Sequence, residues 1–389
     1  MLDEHARAIC AGIDDERDAM TAMLAELVAI PSENPPGAEY GACLAALAAA
    51  MRSVGLAPER IDIPAASPRA ALRGFVGDSG PTLYFHGHYD VVPAFSRDQF
   101  VPRVEGDTLF GRGSSDMKSG LVAMLFAGRA LMRAGMRLRG RLGILFVPDE
   151  ETGGAGGSGA LAASGELARN SVGMLLPEPT SGRIWHSNRG AFTAEVTVHG
   201  RAAHVGMQHL GTNAVERAVP ILDRLFALKR ELDARGSILL VGGRVDAGSN
   251  FNVVPDACRF TIDRRTNPDE DHDAERRRVV DLIAGGGDGT KSSIRVIQEG
   301  HSAASSMEHP LARMLSEAVT LVTGQAPEAE MCPGLLETRF YAAAGVPAYA
   351  YGPGLLSVSH GPNEFVRISR MVECAKIYAL VAAGQLALD

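Results

Sequence analysis

The chain has 389 residues, enough for two or three domains with a large core. Its 46% hydrophobic and 22% charged residues are ordinary for a soluble globular protein, and it holds no run of about 18 apolar residues that would suggest a membrane span. A formal net charge of -8 argues against a nucleic-acid partner, because binding phosphates wants a basic face.

The N-terminus, Met1-Leu2-Asp3-Glu4-His5, is acidic and lacks the basic-then-apolar layout of a secretory signal. Five scattered cysteines (Cys10, Cys43, Cys258, Cys332, Cys374) form no C-x-x-C pair, so a reducing, cytoplasmic compartment is expected. Apolar positions recur at helical spacing over 15–30 and 39–54, with Pro31, Pro35 and Pro36 breaking the chain between them. Residues 83–85, 142–147 and 172–176 read as short buried strands, with a helix over 120–133 after the first. Apolar runs separated by helices imply a parallel sheet covered on both faces.

The pattern changes near Arg189. Phe192, Ala194, Val196 and Val198 alternate with Thr193, Glu195, Thr197 and His199, the signature of a half-exposed strand. A helix over about 212–232, strands at 238–245 and 253–262, a helix over about 269–283 and a strand at 294–298 follow. The order βαββαβ is that of a ferredoxin-like sandwich. Helix–strand alternation then resumes with 311–322, 346–351 and 367–386. The expected division is a catalytic domain over 1–187, an inserted domain over 188–300, and the rest of the catalytic domain over 301–389.

Five segments carry chemistry: His86-Gly87-His88-Tyr89-Asp90, Ser115-Asp116-Met117-Lys118, Asp149-Glu150-Glu151, Pro177-Glu178-Pro179 and His360-Gly361-Pro362-Asn363-Glu364. They sit where apolar runs end, which is where an α/β sheet delivers side chains to a crevice. Imidazole nitrogen and carboxylate oxygen are ligands that zinc-like cations accept. His88 and Asp90, two apart in a strand, share a face, so one can bind metal while the other holds the opposite ring nitrogen; a buried histidine satisfied by a carbonyl is the plainer alternative. Asp116 is either a helix N-cap or, after its glycine-rich approach, a carboxylate that bridges two cations. Three adjacent carboxylates leaving a buried strand are costly unless cations compensate them. Of the two glutamates, one can ligate while its neighbour handles a water proton. Glu178 repeats this geometry or is a turn carboxylate. The Gly153–Gly159 run lacks a G-K-[ST] ending and reads as a close backbone turn beside the metals, not a nucleotide loop. Gly285–Gly289 reads as a helix end and flexible loop.

Together these motifs resemble the dinuclear zinc family of acetylornithine deacetylase, succinyl-diaminopimelate desuccinylase, aminoacylase and the glutamate-releasing carboxypeptidases, in the family's order and over nearly the whole chain. The resemblance implies an α/β, mostly parallel-sheet, zinc-peptidase-like catalytic domain with an inserted ferredoxin-like lid and dimerisation domain. It implies that His88, Asp116 and Glu178 hold one metal and that Asp116, Glu151 and His360 hold the other. Glu150 is then the general base, Asp90 orients His88, and His86 takes no ligand role.

In the inserted domain, Gly200-Arg201-Ala202-Ala203-His204 resembles the family's lid segment, whose histidine donates to the oxyanion, typically across a dimer interface. Asn252 and Arg265 match positions that hold a substrate carboxylate, with Arg264 as the alternative to Arg265. Gly334-Leu335-Leu336-Glu337-Thr338-Arg339-Phe340 departs from the family, which commonly has Thr-Asp or Ser-Asp where Leu336-Glu337 stands; Arg339 is still expected to face the substrate. Tyr351-Gly352-Pro353-Gly354 fits the turn leading to His360.

The expectation is a homodimeric, cytoplasmic hydrolase of the amide bond of an N-acyl amino acid or small peptide bearing a free carboxylate. It would use two divalent ions, Zn2+ first and Co2+ or Mn2+ as alternatives, with no nucleic-acid or membrane partner. The rival readings are deamination or decarbamoylation of a non-peptide small molecule in the same site, and a non-catalytic binding protein on a peptidase fold.

Overall fold

The computed structural model describes residues 4–63, 69–285 and 291–386. Most of the glycine run expected to be a loop, residues 286–289, therefore lies outside the described residues. The chain divides into two compact units. The first comprises Met1–Ser187, Ala304–Met331 and Glu337–Asp389, and the second Asn188–Ala303 with Cys332–Leu336. Among the described residues no helix is long and apolar enough to cross a membrane, and all five cysteines are free.

In the first unit the strand order is Glu59–Asp62, Ala70–Val76, Arg141–Val147, Thr82–His88, Ser171–Leu176, Ala348–Ala350, Ile184–Asn188. The four strands from Arg141–Val147 to Ala348–Ala350 pair in parallel. The outer pairings are antiparallel, so the sheet is mostly parallel, as expected. Ala70–Val76 escaped the sequence reading because Arg73 and Gly74 interrupt its apolar run. Every residue of Thr82–His88 is buried, as a strand covered on both faces requires. Helices Ser119–Arg133 and Ile368–Leu386 are buried along most of their length and pack against each other. Leu121, Leu125 and Val381 are fully buried there, each stabilising the unit by about 1.5–3 kcal/mol. The helix packs closely on Gly87, where an added Cβ would lie 2.5 Å from Leu121 Cδ2.

The register aligns the strand ends. His88 lies opposite Val147, and Ala350 lies opposite Leu176. The residues that follow these strands, Asp90, Asp149–Glu151, Glu178 and the segment running to His360, therefore leave the sheet at one edge. A small sheet of Arg103–Glu105, Thr108–Phe110 and Phe365–Arg367, unforeseen from sequence, ties the chain after Glu364 to the stretch before Asp116.

In the second unit the strand order is Ile238–Ala247, Ala257–Thr266, Gly190–His199, Lys291–Gly300, antiparallel throughout. Helices Ala214–Asp233 and His272–Ala284 join the strands in a core that includes Phe192, Val196, Ile221, Leu225, Phe260 and Ile283. Asn213 caps the first of them, its side chain accepting from Val215 N and Glu216 N. The strand expected from residue 253 begins at Ala257, because Pro255 offers no ladder N–H. Val253 instead makes an isolated bridge with His204.

Candidate active site

Seven of the residues singled out from sequence converge in the first unit. His88 Nε2 lies 3.3 Å from Asp116 Oδ1 and 3.9 Å from both Glu150 Oε2 and Glu178 Oε1. His360 Nε2 lies 3.3 Å from Asp116 Oδ2 and 3.2 Å from Glu151 Oε2. Asp116 thus presents one oxygen to each histidine. One ligand atom each from His88, Asp116 and Glu151 lie within 4.8 Å of one another.

Electrostatics favours a cation there. Burial, reinforced by Glu178 and Glu151, pushes Glu150 well above the usual carboxylate range. Burial and Asp116 do the same to Glu178. Hydrogen bonds to Asp116 and Glu151 raise His360 to about 11. Burial alone would raise Asp116, but the close His360 and His88 rings outweigh it and hold Asp116 low. Gathered like charges of this kind are what a divalent cation offsets. A sharper sign is that His88 Nε2, Asp116 Oδ1 and Glu178 Oε1 are all buried without a hydrogen-bond partner. Buried polar atoms are rarely left so. Three of them, on the side chains expected to share one metal, fit a bound ion.

The surroundings hold these groups tightly. His88 Nδ1 lies 3.0 Å from the Asp90 carbonyl oxygen and 3.7 Å from its carboxylate. The backbone of Asp90 is therefore the nearer partner of the ring. Its carboxylate accepts from Glu150 N at 3.3 Å, Glu151 N at 3.2 Å and Asn34 Nδ2 at 2.8 Å, so it braces the turn that carries both glutamates. Asp149 pairs with Arg69 at 2.9 Å and accepts from Gly156 N at 2.7 Å.

His86, expected to take no ligand role, is fully buried and occupied elsewhere. Its Nε2 lies 2.9 Å from Glu337 Oε2 and 2.8 Å from Ser158 Oγ, and its Nδ1 lies 2.9 Å from Tyr341 Oη. The departure at Glu337 is thus answered inside the unit. Burial would raise Glu337, yet the contact with His86 outweighs it and holds Glu337 below the usual range.

Arg339, expected to face the substrate, is largely buried. Its Nη2 donates to Gly153 O at 2.5 Å and its guanidinium lies 4.1 Å from the Phe340 ring centre. Gly153 N in turn donates to Glu150 O at 2.7 Å, so the 337–340 segment supports the glutamate turn. Gly154 has φ +71°, a conformation that favours glycine, and a Cβ there would lie 2.9 Å from Glu337 Oε1.

His204, Asn252 and Arg265 lie in the second unit. Val205 N donates to Asn252 O at 2.9 Å, which joins the loops of His204 and Asn252. His204 is exposed, and its Nδ1 accepts from Gly206 N at 3.1 Å. The two arginines separate clearly. Arg264 is fully buried and pairs with Glu270 at 2.5 Å and Glu275 at 2.7 Å. Arg265 is half-buried and pairs with Asp263, two residues away, at 2.8 Å.

Sequence reasoning passed over Asn34, Arg112, Ser158 and Glu364, and marked Glu337 only as a departure from the family. Asn34 looked like part of a proline-broken connection, Arg112 lay in the glycine-rich approach to Asp116, and Glu364 sat unassigned at the end of the His360 segment. Only the lone polar residues among apolar or glycine neighbours hinted at them.

Residues 84–384 match peptidase family M20/M25/M40, and the chain belongs to that family. It is an enzyme, a metal-dependent hydrolase of peptide or amide bonds. Solved structures share the fold. The di-peptidase Dug1p of Saccharomyces cerevisiae aligns with a TM-score of 0.78 at 16% identity, covering 98% of each chain. The M20 family metallo-carboxypeptidase Sso-CP2 of Sulfolobus solfataricus aligns at 0.78 and 17% identity, covering 93% of this chain and 98% of the other. The Bacillus subtilis YXEP protein, a dinuclear metal binding peptidase of the M20 family, aligns at 0.70 and 16% identity, covering 96% and 99%.

Proposed function

We propose that this M20 hydrolase cleaves the amide bond of an N-acyl amino acid or small peptide bearing a free carboxylate. His88, Asp116 and Glu178 would hold one divalent ion, and Asp116, Glu151 and His360 a second, with Zn2+ the first choice and Co2+ or Mn2+ as alternatives. Ions bound there polarise the scissile carbonyl and make water more acidic. Glu150 takes the proton of the attacking water and returns it to the leaving amine. His204 donates a hydrogen bond to the oxyanion. Asn252 and Arg265 hold the carboxylate, a task suited to a guanidinium fork. The second unit carries dimer contacts, a reading supported by its exposed apolar side chains, Val219, Phe226 and Leu240 among them.

The observation that carries this reading is the trio of buried, unbonded ligand atoms on His88, Asp116 and Glu178. The test is a substrate panel of N-acetyl and N-succinyl amino acids, dipeptides, their amidated forms without a free carboxylate, and ureido compounds, with zinc restored. Carboxylate-bearing amides should give the highest kcat/KM. A preference for ureido compounds would overturn the substrate assignment. Glu150→Ala should lower kcat by about 10²–10⁴ with metal content unchanged. Unaltered hydrolysis with both ions bound would overturn the mechanism.

A further inference from the structure

We propose that Arg112 and Glu364 form a positioning clamp that sets His360 against Asp116, and that the ion site shared by those two ligands depends on it. The proposal rests on the two-ion reading above, but its readout needs no substrate. Glu364 Oε1 accepts from Ser115 N at 2.9 Å and Asp116 N at 3.0 Å, gripping the backbone of the bridging carboxylate. Its Oε2 accepts from Arg112 Nη1 at 2.6 Å. The other arm of the same guanidinium, Nη2, donates to His360 O at 3.2 Å. Two ligands far apart in sequence are thereby tied through one buried ion pair, with side-chain exposures of 1% and 0%.

His360 needs such a hold. Its side chain is 51% exposed, so packing restrains it little. Its φ of +64° lies in the left-handed region that a residue with a Cβ adopts only when its surroundings impose it. His88, by contrast, is fully buried at the end of a central strand and paired in register with Val147. A planar fork bonding two acceptors at once is the group that can fix one loop against another. The clamp therefore serves the ion site that uses His360 more than the one that uses His88 and Glu178.

The test uses the full chain, stripped with a chelator and titrated with Zn2+ by calorimetry, with bound metal counted by elemental analysis. The unmodified chain should take up two ions. A single ion would overturn the two-ion reading and the clamp with it. In Arg112→Gln and Glu364→Gln, one ion should weaken at least tenfold while the other stays within about threefold. Arg112→Lys, which keeps the charge but loses the fork, should fall between. The double variant should weaken that ion no more than either single one. Two ions bound as tightly as in the unmodified chain would overturn the clamp. So would equal weakening of both ions in step with a lower melting temperature, which marks a merely structural pair. If either glutamine variant fails to fold, Arg112→Lys decides by the same measurements.

Discussion

In the first unit His88, Asp90 and Glu178 are almost wholly buried, and the Glu150–Glu151 turn is held through its backbone by Asp90. In the second unit His204 is exposed, and its ring accepts a hydrogen bond from the backbone two residues on. The contrast follows from chemistry. Ligand atoms must stand in a defined geometry before an ion arrives, so burial and backbone bonds fix them. On the role proposed for His204, a group that meets a substrate only during turnover must stay reachable. Substitutions in the first region therefore mix losses of folding with losses of function, whereas in the second region the two can be separated.

Four predictions would break or sharpen that contrast. The largest effect should come from the one catalytic-looking residue of the second unit that is built like the first. Arg264→Ala leaves Glu270 and Glu275 without their buried partner, which should lower stability by about 3–5 kcal/mol in urea unfolding. A loss near zero would mean the network does not support the sheet. Next, His204→Ala should lower kcat by about 10²–10³, the size expected for one oxyanion donor, with an unchanged melting temperature. An equal fall in melting temperature would place His204 in the structure instead. Arg265→Ala should raise KM about 10- to 100-fold, as loss of a charged hydrogen bond of about 1.5–3 kcal/mol would, and leave kcat and melting nearly untouched. If kcat fell alone, Arg265 would not be a ground-state carboxylate contact.

The smallest effect concerns pH. Burial would raise Glu270, but bonds from Asn267 N, Ser237 and Arg264 outweigh it and hold it below its usual range. A carboxylate depressed on folding contributes stability above its unfolded pKa of about 4.3 and loses it as pH falls through the lower folded value. Glu270→Gln should therefore be less stable than the unmodified chain at pH 7, and the gap should shrink toward pH 3. A gap independent of pH would assign the loss to packing.

Much of the site was legible because its signals are local. His88 and Asp90 share a strand face, Asp149–Glu151 leave an apolar strand, and Glu178 follows the next one. The alternating run from Phe192 to Val198 marked the start of a second unit in the same way. What was not legible involves partners far apart in the chain. His86 looked idle because Glu337 stands 251 residues away. Glu337 looked anomalous for the same reason, and Arg112 waits 252 residues for Glu364. Arg73 and Gly74 hid a buried strand because pairing, not periodicity, makes it one.

Residue types and their order along the chain were enough to determine the class of fold, the change of architecture near Arg189 and the side chains able to bind a cation, since periodicity and strand ends are properties of short stretches. Only the tertiary structure decided that Arg264 is buried while Arg265 is not, that Arg339 braces a turn, and that His360 hangs on a clamp from Glu364 through Arg112. Adjacent residues on a strand point to opposite faces, and a hydrogen bond is settled by where two distant segments meet.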